Sequence, residues 1–211
     1  MTDDNLTEAE RWDARYAESD RIWSGNPNVV LVREVKELTP GRALDLGCGE
    51  GADAVWLARQ GWRVTAVDIS RVALDRAAGH AAEAGVADRV DWQRRDLGES
   101  FPEGEFDLVS AQFLHTWGDM PRERILRNAA AAVAPGGVLL IVSHGGFPPW
   151  ESHAHPDIHF PTPDELLESL QLPDGQWEVL LSDEHERVQT GPDGEPAHRM
   201  DNALKTRRLA R

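Results

Sequence analysis

Between residues 42 and 143, short segments of strand-forming residues alternate with segments that have the period and the end signals of helices. The predicted strands are Arg42–Leu46, Arg63–Val67, Val90–Trp92, Phe106–Ala111 and Val138–Ser143. Helices are predicted at 52–60, 71–84 and 121–133. Strands that alternate with helices are typical of βαβ units, so this segment is predicted to form an α/β, doubly wound, parallel sheet.

Both ends of the chain depart from this alternation. Helices are predicted before it, at 6–16 and 29–38, and one more follows it at 163–170. Two final strands, at 177–182 and about 198–209, are separated by a turn at 191–194 whose glycines are typical of a hairpin. The prediction is therefore a mostly parallel seven-stranded sheet with an antiparallel last strand and N-terminal cap helices.

The first predicted strand runs into a glycine-rich loop, 47–51, that opens the next helix. A loop in this position lets the backbone approach a bound nucleotide closely. The spacing Gly47-x-Gly49-x-x-Ala52 satisfies the dinucleotide fingerprint, in which a pyrophosphate lies at the helix N-terminus. Two acids argue against that ligand, because Asp45 before the loop and Glu50 within it would repel a pyrophosphate.

The same segment, written Asp45-x-Gly47-x-Gly49-x-Gly51, resembles the signature of class I S-adenosylmethionine-dependent methyltransferases. The resemblance covers about 43–143 and includes the turn Pro135-Gly136-Gly137 before the fifth strand. It implies S-adenosyl-L-methionine as cofactor, S-adenosyl-L-homocysteine as product, and attraction between Asp45 and the ammonium of the methionine moiety. Asp68 ends the second strand about 20 residues after Gly47, the spacing at which a carboxylate binds a ribose hydroxyl pair.

The resemblance implies further cofactor contacts. In this family an acid after the third strand accepts from the adenine amine while an apolar neighbour covers the ring, and Asp96-Leu97 occupy that position. Tyr16 and Trp23 lie in a segment that looks like the cap of the thiopurine and tellurite-resistance groups, although at this spacing they could equally form the core face of a helix. The predicted cofactor-binding residues are Tyr16, Trp23, Asp45, Gly47, Cys48, Gly49, Asp68, Ile69, Asp96, Leu97, Gln112 and Phe113.

One Rossmann-like methyltransferase domain is therefore predicted over residues 1–211. Within it, residues 1–40 form an N-terminal helical cap, and residues 41–144 form the cofactor-binding core. Residues 145–211 supply the substrate loop and the C-terminal strands.

The acceptor is predicted to bind beyond the carboxyl ends of the strands, where the strand order reverses. The loops that face this crevice supply the predicted substrate-lining residues His115, Trp117, His144, Trp150, His153 and His155. His115 is a candidate general base, although a histidine after an apolar strand is as often a packed residue. His153-x-His155 with His159 could hold a metal ion, but the polar loop favours exposed or substrate-lining histidines, and no metal is predicted.

A sulfonium cofactor already supplies the electrophile, so the protein mainly positions the reactants and excludes water. Because the sequence shows no unmistakable base, the predicted acceptor is a small-molecule thiol, amine or metalloid. Two alternatives stay open. One is an NAD(P)-dependent oxidoreductase, although the sole tyrosine, Tyr16, is not part of the Tyr-x-x-x-Lys pair that such enzymes can use. The other is a non-catalytic cofactor-binding or metal-sensing module.

The charge balance bears on the partners of the chain. Its 22 Lys and Arg against 37 Asp and Glu give a net charge of −15, which repels phosphate backbones, so no nucleic-acid partner is expected. The basic residues of 199–211 are expected to spread over a sheet edge. The longest apolar run, Val138–Val142, is far short of the roughly 20 residues that span a bilayer, and no targeting segment is visible. A cytoplasmic protein without a membrane partner is expected.

Overall fold

Seven strands form one sheet in the order β3-β2-β1-β4-β5-β7-β6. The computed structural model describes residues 6–115, 120–151 and 158–210. The strands are β1 Arg42–Leu46, β2 Arg63–Asp68, β3 Val90–Arg94, β4 Phe106–Gln112, β5 Val133–His144, β6 Trp177–Thr190 and β7 Pro196–Arg208. The helices are α1 Glu8–Ala17, α2 Val29–Val35, α3 Ala52–Arg59, α4 Arg71–Glu83, α5 Arg122–Ala131 and α6 Pro163–Ser169.

The pairing of the strands confirms the predicted topology. Strand β1 pairs in parallel with β2 and β4, and the parallel arrangement continues to β3 and β5. Strand β7 lies between β5 and β6 and is antiparallel to both. The strand order reverses between β1 and β4, so a crevice is expected at the carboxyl ends of these two strands.

Helices pack on both faces of the sheet and hold its strand ends in place. Leu31 of α2 and Leu57 of α3 belong to a core on one face, and Ile125 of α5 and Leu166 of α6 belong to a core on the other. All four side chains are at most 1% exposed. Burial of one such side chain contributes about 1.5–3 kcal/mol. No helix within the described ranges combines the length and the apolar character that crossing a bilayer requires.

The C-terminal hairpin is longer than the sequence indicated. Strand β6 was predicted to end at 182, but it pairs with β7 as far as Thr190. Residues 183–190 are mostly charged or polar, and their side chains alternate between half-buried and exposed. Since this half of the strand contributes little to an apolar core, hydrophobic periodicity could not reveal it. Strand β5 begins at Val133, so the Pro135-Gly136-Gly137 segment lies inside the strand beside a break in its register.

The expectation that the basic C-terminal residues spread over a sheet edge is wrong. Strand β7 is an inner strand, and the edge is β6. Three basic side chains near the C-terminal end of β7 are instead engaged by acids of neighbouring elements. The ion pairs are Lys205–Glu34 at 3.1 Å, Arg207–Glu178 at 3.6 Å and Arg208–Glu105 at 3.5 Å.

Candidate active site

A cavity of about 750 Å³ opens at the carboxyl ends of β1 and β4, where the strand order reverses. Its volume lies within the range of small-molecule and cofactor sites. All the residues predicted from the sequence to bind a cofactor line this cavity: Tyr16, Trp23, Asp45, Gly47, Cys48, Gly49, Asp68, Ile69, Asp96, Leu97, Gln112 and Phe113. The structure thus brings the set together, while the role of each residue stays a prediction.

The glycine loop packs too closely against neighbouring side chains to accept any other residue at Gly47 or Gly49. Gly47 and Gly49 have φ angles of 71° and 53°, in the left-handed region that favours glycine. A Cβ atom at Gly47 would lie 2.7 Å from the side chain of Leu114, and one at Gly49 would lie 2.9 Å from the hydroxyl of Tyr16. The loop backbone therefore packs directly against Leu114 and Tyr16, and its close approach to a ligand stays a prediction.

Asp45 ends with a carboxylate oxygen that has no partner. The residue is 2% exposed, and its Oδ2 atom accepts no hydrogen bond from the described part of the chain. Burial, together with the charges of Asp53 and Asp68, raises the pKa of Asp45 well above its ordinary value. A buried, unpartnered carboxylate is costly unless a cation or a hydrogen-bond donor meets it. The site therefore fits a ligand that brings a positive group to this position.

Asp68 supports the loop as well as facing the cavity. Its two carboxylate oxygens accept hydrogen bonds from the backbone N–H of Gly49 at 2.8 Å and of Ser70 at 2.9 Å. Burial raises the pKa of Asp68 despite these bonds. Each carboxylate oxygen has two lone pairs, so the group can still accept from a ligand. The sequence spacing indicated the ligand role but not the structural one.

Glu50 attaches the N-terminal segment to the glycine loop. Its side chain is 4% exposed and accepts from the backbone N–H of Trp23 at 3.1 Å and from Arg76 at 2.8 Å. The indole N–H of Trp23 in turn donates to the hydroxyl of Tyr16, at 3.1 Å, and Tyr16 is 3% exposed. Sequence reasoning considered Glu50 only as an acid that disfavours phosphate. In the structure it holds the two predicted cap aromatics beside the cavity.

Helix α1 is attached to the sheet, near the glycine loop, by a second acid. The Oδ1 atom of Asp13 accepts from the hydroxyl of Ser70 at 2.6 Å and from the backbone N–H of Val72 at 3.2 Å. Both donors lie at the start of α4, directly after Asp68. The helical cap is thus docked onto the strand end that carries the predicted ribose ligand.

The opposite end of the cavity contains a histidine held by a buried carboxylate. The Nδ1 atom of His144 lies 2.9 Å from the Oδ1 atom of Asp201, which is 0% exposed. Asp201 also accepts from the Nε atom of Arg187. These hydrogen bonds outweigh the effect of burial and lower the pKa of Asp201. Because the ionised carboxylate can only accept, Nδ1 of His144 carries the proton and Nε2 is the basic nitrogen.

Aromatic and cationic side chains surround His144. Its ring stacks on Phe113 with centroids 4.6 Å apart, and the exposed ring of His115 lies 5.0 Å away. Arg187 and Arg199 also line the cavity. Burial outweighs the bond to Asp201 and lowers the pKa of His144, so the ring is neutral near pH 7. The residues Asp201, Arg187 and Arg199 were not found from the sequence, since only the register of β6 and β7 brings them here.

The other predicted substrate-lining residues have different outcomes. His115 and His144 line the cavity, but Trp150 does not; it is 41% exposed and lies next to the turn at Gly191. Trp117, His153 and His155 lie outside the described residues. His159 pairs with Glu165 at 3.0 Å, and no group of three His, Cys, Asp or Glu side chains in the described ranges could hold a metal ion.

The core of the chain is similar to proteins of known family. Residues 43–137 match the model of the family described as a methyltransferase domain. The chain is similar to a probable chloroplastic tocopherol O-methyltransferase of Oryza sativa subsp. japonica, 34% identical over 133 residues that cover 61% of this chain and 36% of the relative. It is also similar to ribosomal RNA small subunit methyltransferase C of Alcanivorax borkumensis, 33% identical over 114 residues that cover 52% of this chain and 34% of the relative. The chain thus spans about a third of the length of these two relatives.

A solved structure extends the similarity over nearly the whole fold. It comes from a study of the conversion of a disulfide bond into a thioacetal group during echinomycin biosynthesis. Its TM-score is 0.73 at 26% identity, and the match covers 96% of this chain and 92% of that one. The match therefore includes the helical cap and the C-terminal hairpin.

Proposed function

We propose that the chain, whose residues 43–137 match a family model described as a methyltransferase domain, transfers a methyl group from S-adenosylmethionine to a small-molecule acceptor. The observation that carries the proposal is the unpartnered, buried Oδ2 atom of Asp45 beside the glycine loop. An ammonium group is the partner that this oxygen lacks, and the methionine end of the cofactor provides one. A pyrophosphate would instead bring negative charge toward a buried carboxylate, so an NAD(P) dinucleotide fits the same loop poorly.

The proposed arrangement assigns a part of the cofactor to each region of the cavity. Asp45 and the loop at Gly47 and Gly49 hold the methionine moiety. The carboxylate of Asp68 accepts from the ribose hydroxyls while it keeps the loop in place. Asp96 and Leu97 meet the adenine, and Tyr16 with Trp23 covers the cofactor from the N-terminal side.

Bound S-adenosylmethionine supplies a methyl group on a positively charged sulfur, which is already a good electrophile. The chain has to bind both reactants, align them and keep water out. The docked cap and the buried walls of the cavity support this assignment. A small acceptor is favoured over RNA because the chain has a net charge of −15 and the basic side chains on β7 near its C-terminus are paired with acids.

Titration calorimetry with S-adenosylhomocysteine tests the proposal directly. We expect saturable binding to one site, and Asp45→Asn should weaken it by about ten- to a hundredfold, because a hydrogen bond to a charged group is lost. NADH and NADPH serve as controls and should not compete. Tight NADH binding without S-adenosylhomocysteine binding would overturn the proposal in favour of a dinucleotide enzyme.

A further inference from the structure

The end of the cavity that contains His144 has a geometry that a soft nucleophile would not need. His144 ends β5, and its ring is fixed on one side by the stacked ring of Phe113 and on the other by Asp201. Phe113 itself has a φ of 53°, uncommon for a non-glycine residue, and its N–H donates to the carbonyl of Val142 at 2.8 Å. Backbone strain of this kind persists where surrounding structure imposes it, and it is frequent at functional sites.

The carboxylate of Asp201 gives His144 the orientation of a general base. A base whose second nitrogen donates to a buried acid has a fixed tautomer and a fixed ring plane. Burial keeps the ring neutral, and its Nε2 atom therefore has a free lone pair at neutral pH.

Two arginines lie directly opposite each other next to this histidine. Arg187 of β6 and Arg199 of β7 are register partners, an arrangement that destabilises an antiparallel pair because the charges are alike. Arg187 donates to Asp201 and lies 5.4 Å from the centre of the Phe113 ring, while Arg199 donates to the carbonyl of Gly146 at 2.9 Å. Both line the cavity in a chain of strongly negative charge. Two cations at this position favour an anionic ligand group.

We propose that the methyl acceptor is a small acidic hydroxyl compound of the phenol or enol class, with His144 as its general base and Arg187 and Arg199 as the groups that bind its oxyanion. This assignment deepens the proposed function and depends on it. It also replaces the preference for thiols, amines and metalloids, which followed from the lack of a visible base in the sequence. The base and its carboxylate lie 57 residues apart and meet only through the pairing of β5 with β7.

In the proposed reaction a proton leaves the acceptor oxygen and a methyl group takes its place. The acceptor O–H bond breaks, and its proton moves to Nε2 of His144. The acceptor oxygen forms a bond to the methyl carbon while the methyl carbon–sulfur bond breaks, and that electron pair stays on sulfur to give the neutral thioether S-adenosylhomocysteine. The proton on His144 then passes to water, which restores the neutral base.

The groups that face His144 determine the expected pH profile. They are Asp201 and Arg199 of β7, Arg187 of β6 and His115 after β4. Because burial lowers the pKa of His144 below the ordinary value of a histidine, the base is in its active form at neutral pH, and kcat/KM should fall only in acidic solution, below the usual titration range of a histidine. His144→Asn keeps an amide that can donate to Asp201 but removes the base, so the decrease of kcat/KM in acidic solution should disappear.

A panel of matched acceptors separates this inference from the proposed function. The probes are phenol, para-nitrophenol and para-hydroxybenzoate, with thiophenol and para-mercaptobenzoate as their sulfur analogues, and the readout is release of S-adenosylhomocysteine. We expect turnover of the hydroxyl compounds, with a loss of about a hundred- to ten-thousandfold in His144→Asn. The loss should be smallest for para-nitrophenol, which ionises without help. Turnover of thiols alone, or an equal rate in His144→Asn, would overturn the inference while leaving the methyltransferase assignment intact.

A binding experiment tests the arginines without relying on turnover. Calorimetry of para-nitrophenol, which is largely ionised at about pH 8, with the protein saturated in S-adenosylhomocysteine should show a tenfold or greater loss of affinity in Arg199→Gln. Arg207→Gln is the matched control, because Arg207 lies on the same strand but pairs with Glu178 and does not line this cavity. Equal affinities for the two variants, or no binding to the wild type, would overturn the inference. Unchanged S-adenosylhomocysteine affinity in both variants shows that the fold and the cofactor site are intact.

Discussion

Asp45 combines a cost in folding stability with a proposed role in cofactor binding. Its folded pKa is raised above the ordinary value, so the carboxyl group destabilises the fold once the pH exceeds the unfolded pKa of about 4. The cost grows with pH until the folded pKa is passed. The same carboxylate is the proposed partner of the cofactor ammonium. Binding and folding stability therefore place opposite demands on this position.

We accordingly expect Asp45→Asn to raise the melting temperature of the ligand-free protein at neutral pH. The gain should shrink as the pH is lowered toward about 4 and vanish below it, because the wild-type carboxyl is protonated in both states only below the unfolded pKa. Thermal unfolding across this pH range measures the effect, with the exposed Asp88 changed to Asn as control. A variant less stable than the wild type at pH 7 would contradict the assigned cost of burial.

Asp68 combines a proposed role in ribose binding with a structural one, so its removal should have two effects. Asp68→Ala leaves the N–H groups of Gly49 and Ser70 without their carboxylate acceptor. We expect a loss of about 1–3 kcal/mol in the free energy of unfolding and a ten- to a hundredfold loss of S-adenosylhomocysteine affinity. Chemical denaturation and calorimetry measure the two quantities separately. Affinity within twofold of the wild type would show that the ribose assignment is wrong.

At the scale of elements, three acids hold the N-terminal cap against the elements around the glycine loop. Glu50 binds the backbone of Ile22 and Trp23, Asp13 binds the start of α4, and Asp53 binds Asn28 at 2.7 Å. These acids lie on or beside the elements that form the cavity. The position of the cap therefore depends on the same loop that is proposed to hold the cofactor.

Loosening this connection should weaken cofactor binding without unfolding the domain. Glu50→Ala removes the acceptor for two backbone N–H groups and leaves Arg76 without its carboxylate, at 2.8 Å in the wild type. We expect faster amide exchange in residues 16–28 and several-fold weaker S-adenosylhomocysteine binding. Glu37→Ala, on an exposed position after α2, is the control. Unchanged exchange in residues 16–28 would mean that other contacts hold the cap.

The elements differ in how far the sequence could predict them. The parallel half of the sheet was predictable because its strands are apolar and its turns carry glycine and proline. The second half of β6 was not predictable, because residues 183–190 are mostly charged or polar and lack the alternation of apolar residues that marks a strand. The same limit applies to the site. Asp45 and the glycines follow a local spacing, whereas His144 meets Asp201 and Arg187 only through strand register.

For the molecule as a whole, the distribution of charge matters more than its sum. The cavity has acids at the glycine-loop end, Asp45, Asp53 and Asp68, and arginines at the β6–β7 end, Arg187 and Arg199. A cationic cofactor and an anionic acceptor would each meet opposite charge, and the two reacting groups would be drawn toward the middle. This polarity is hidden within a net charge of −15.

The net charge leads to the last prediction, which concerns RNA. One curated relative is a ribosomal RNA methyltransferase, but a polyanion would meet an acidic surface, and Lys205, Arg207 and Arg208 are paired with acids. We expect structured RNA and duplex DNA to bind no more tightly than the weak end of non-specific affinity, about 10⁻⁴ M or weaker, with a shallow salt dependence. Fluorescence polarisation of labelled RNA at two salt concentrations measures both quantities. Micromolar binding that weakens steeply with salt would contradict the expected repulsion, and the acceptor would then be sought among nucleic acids.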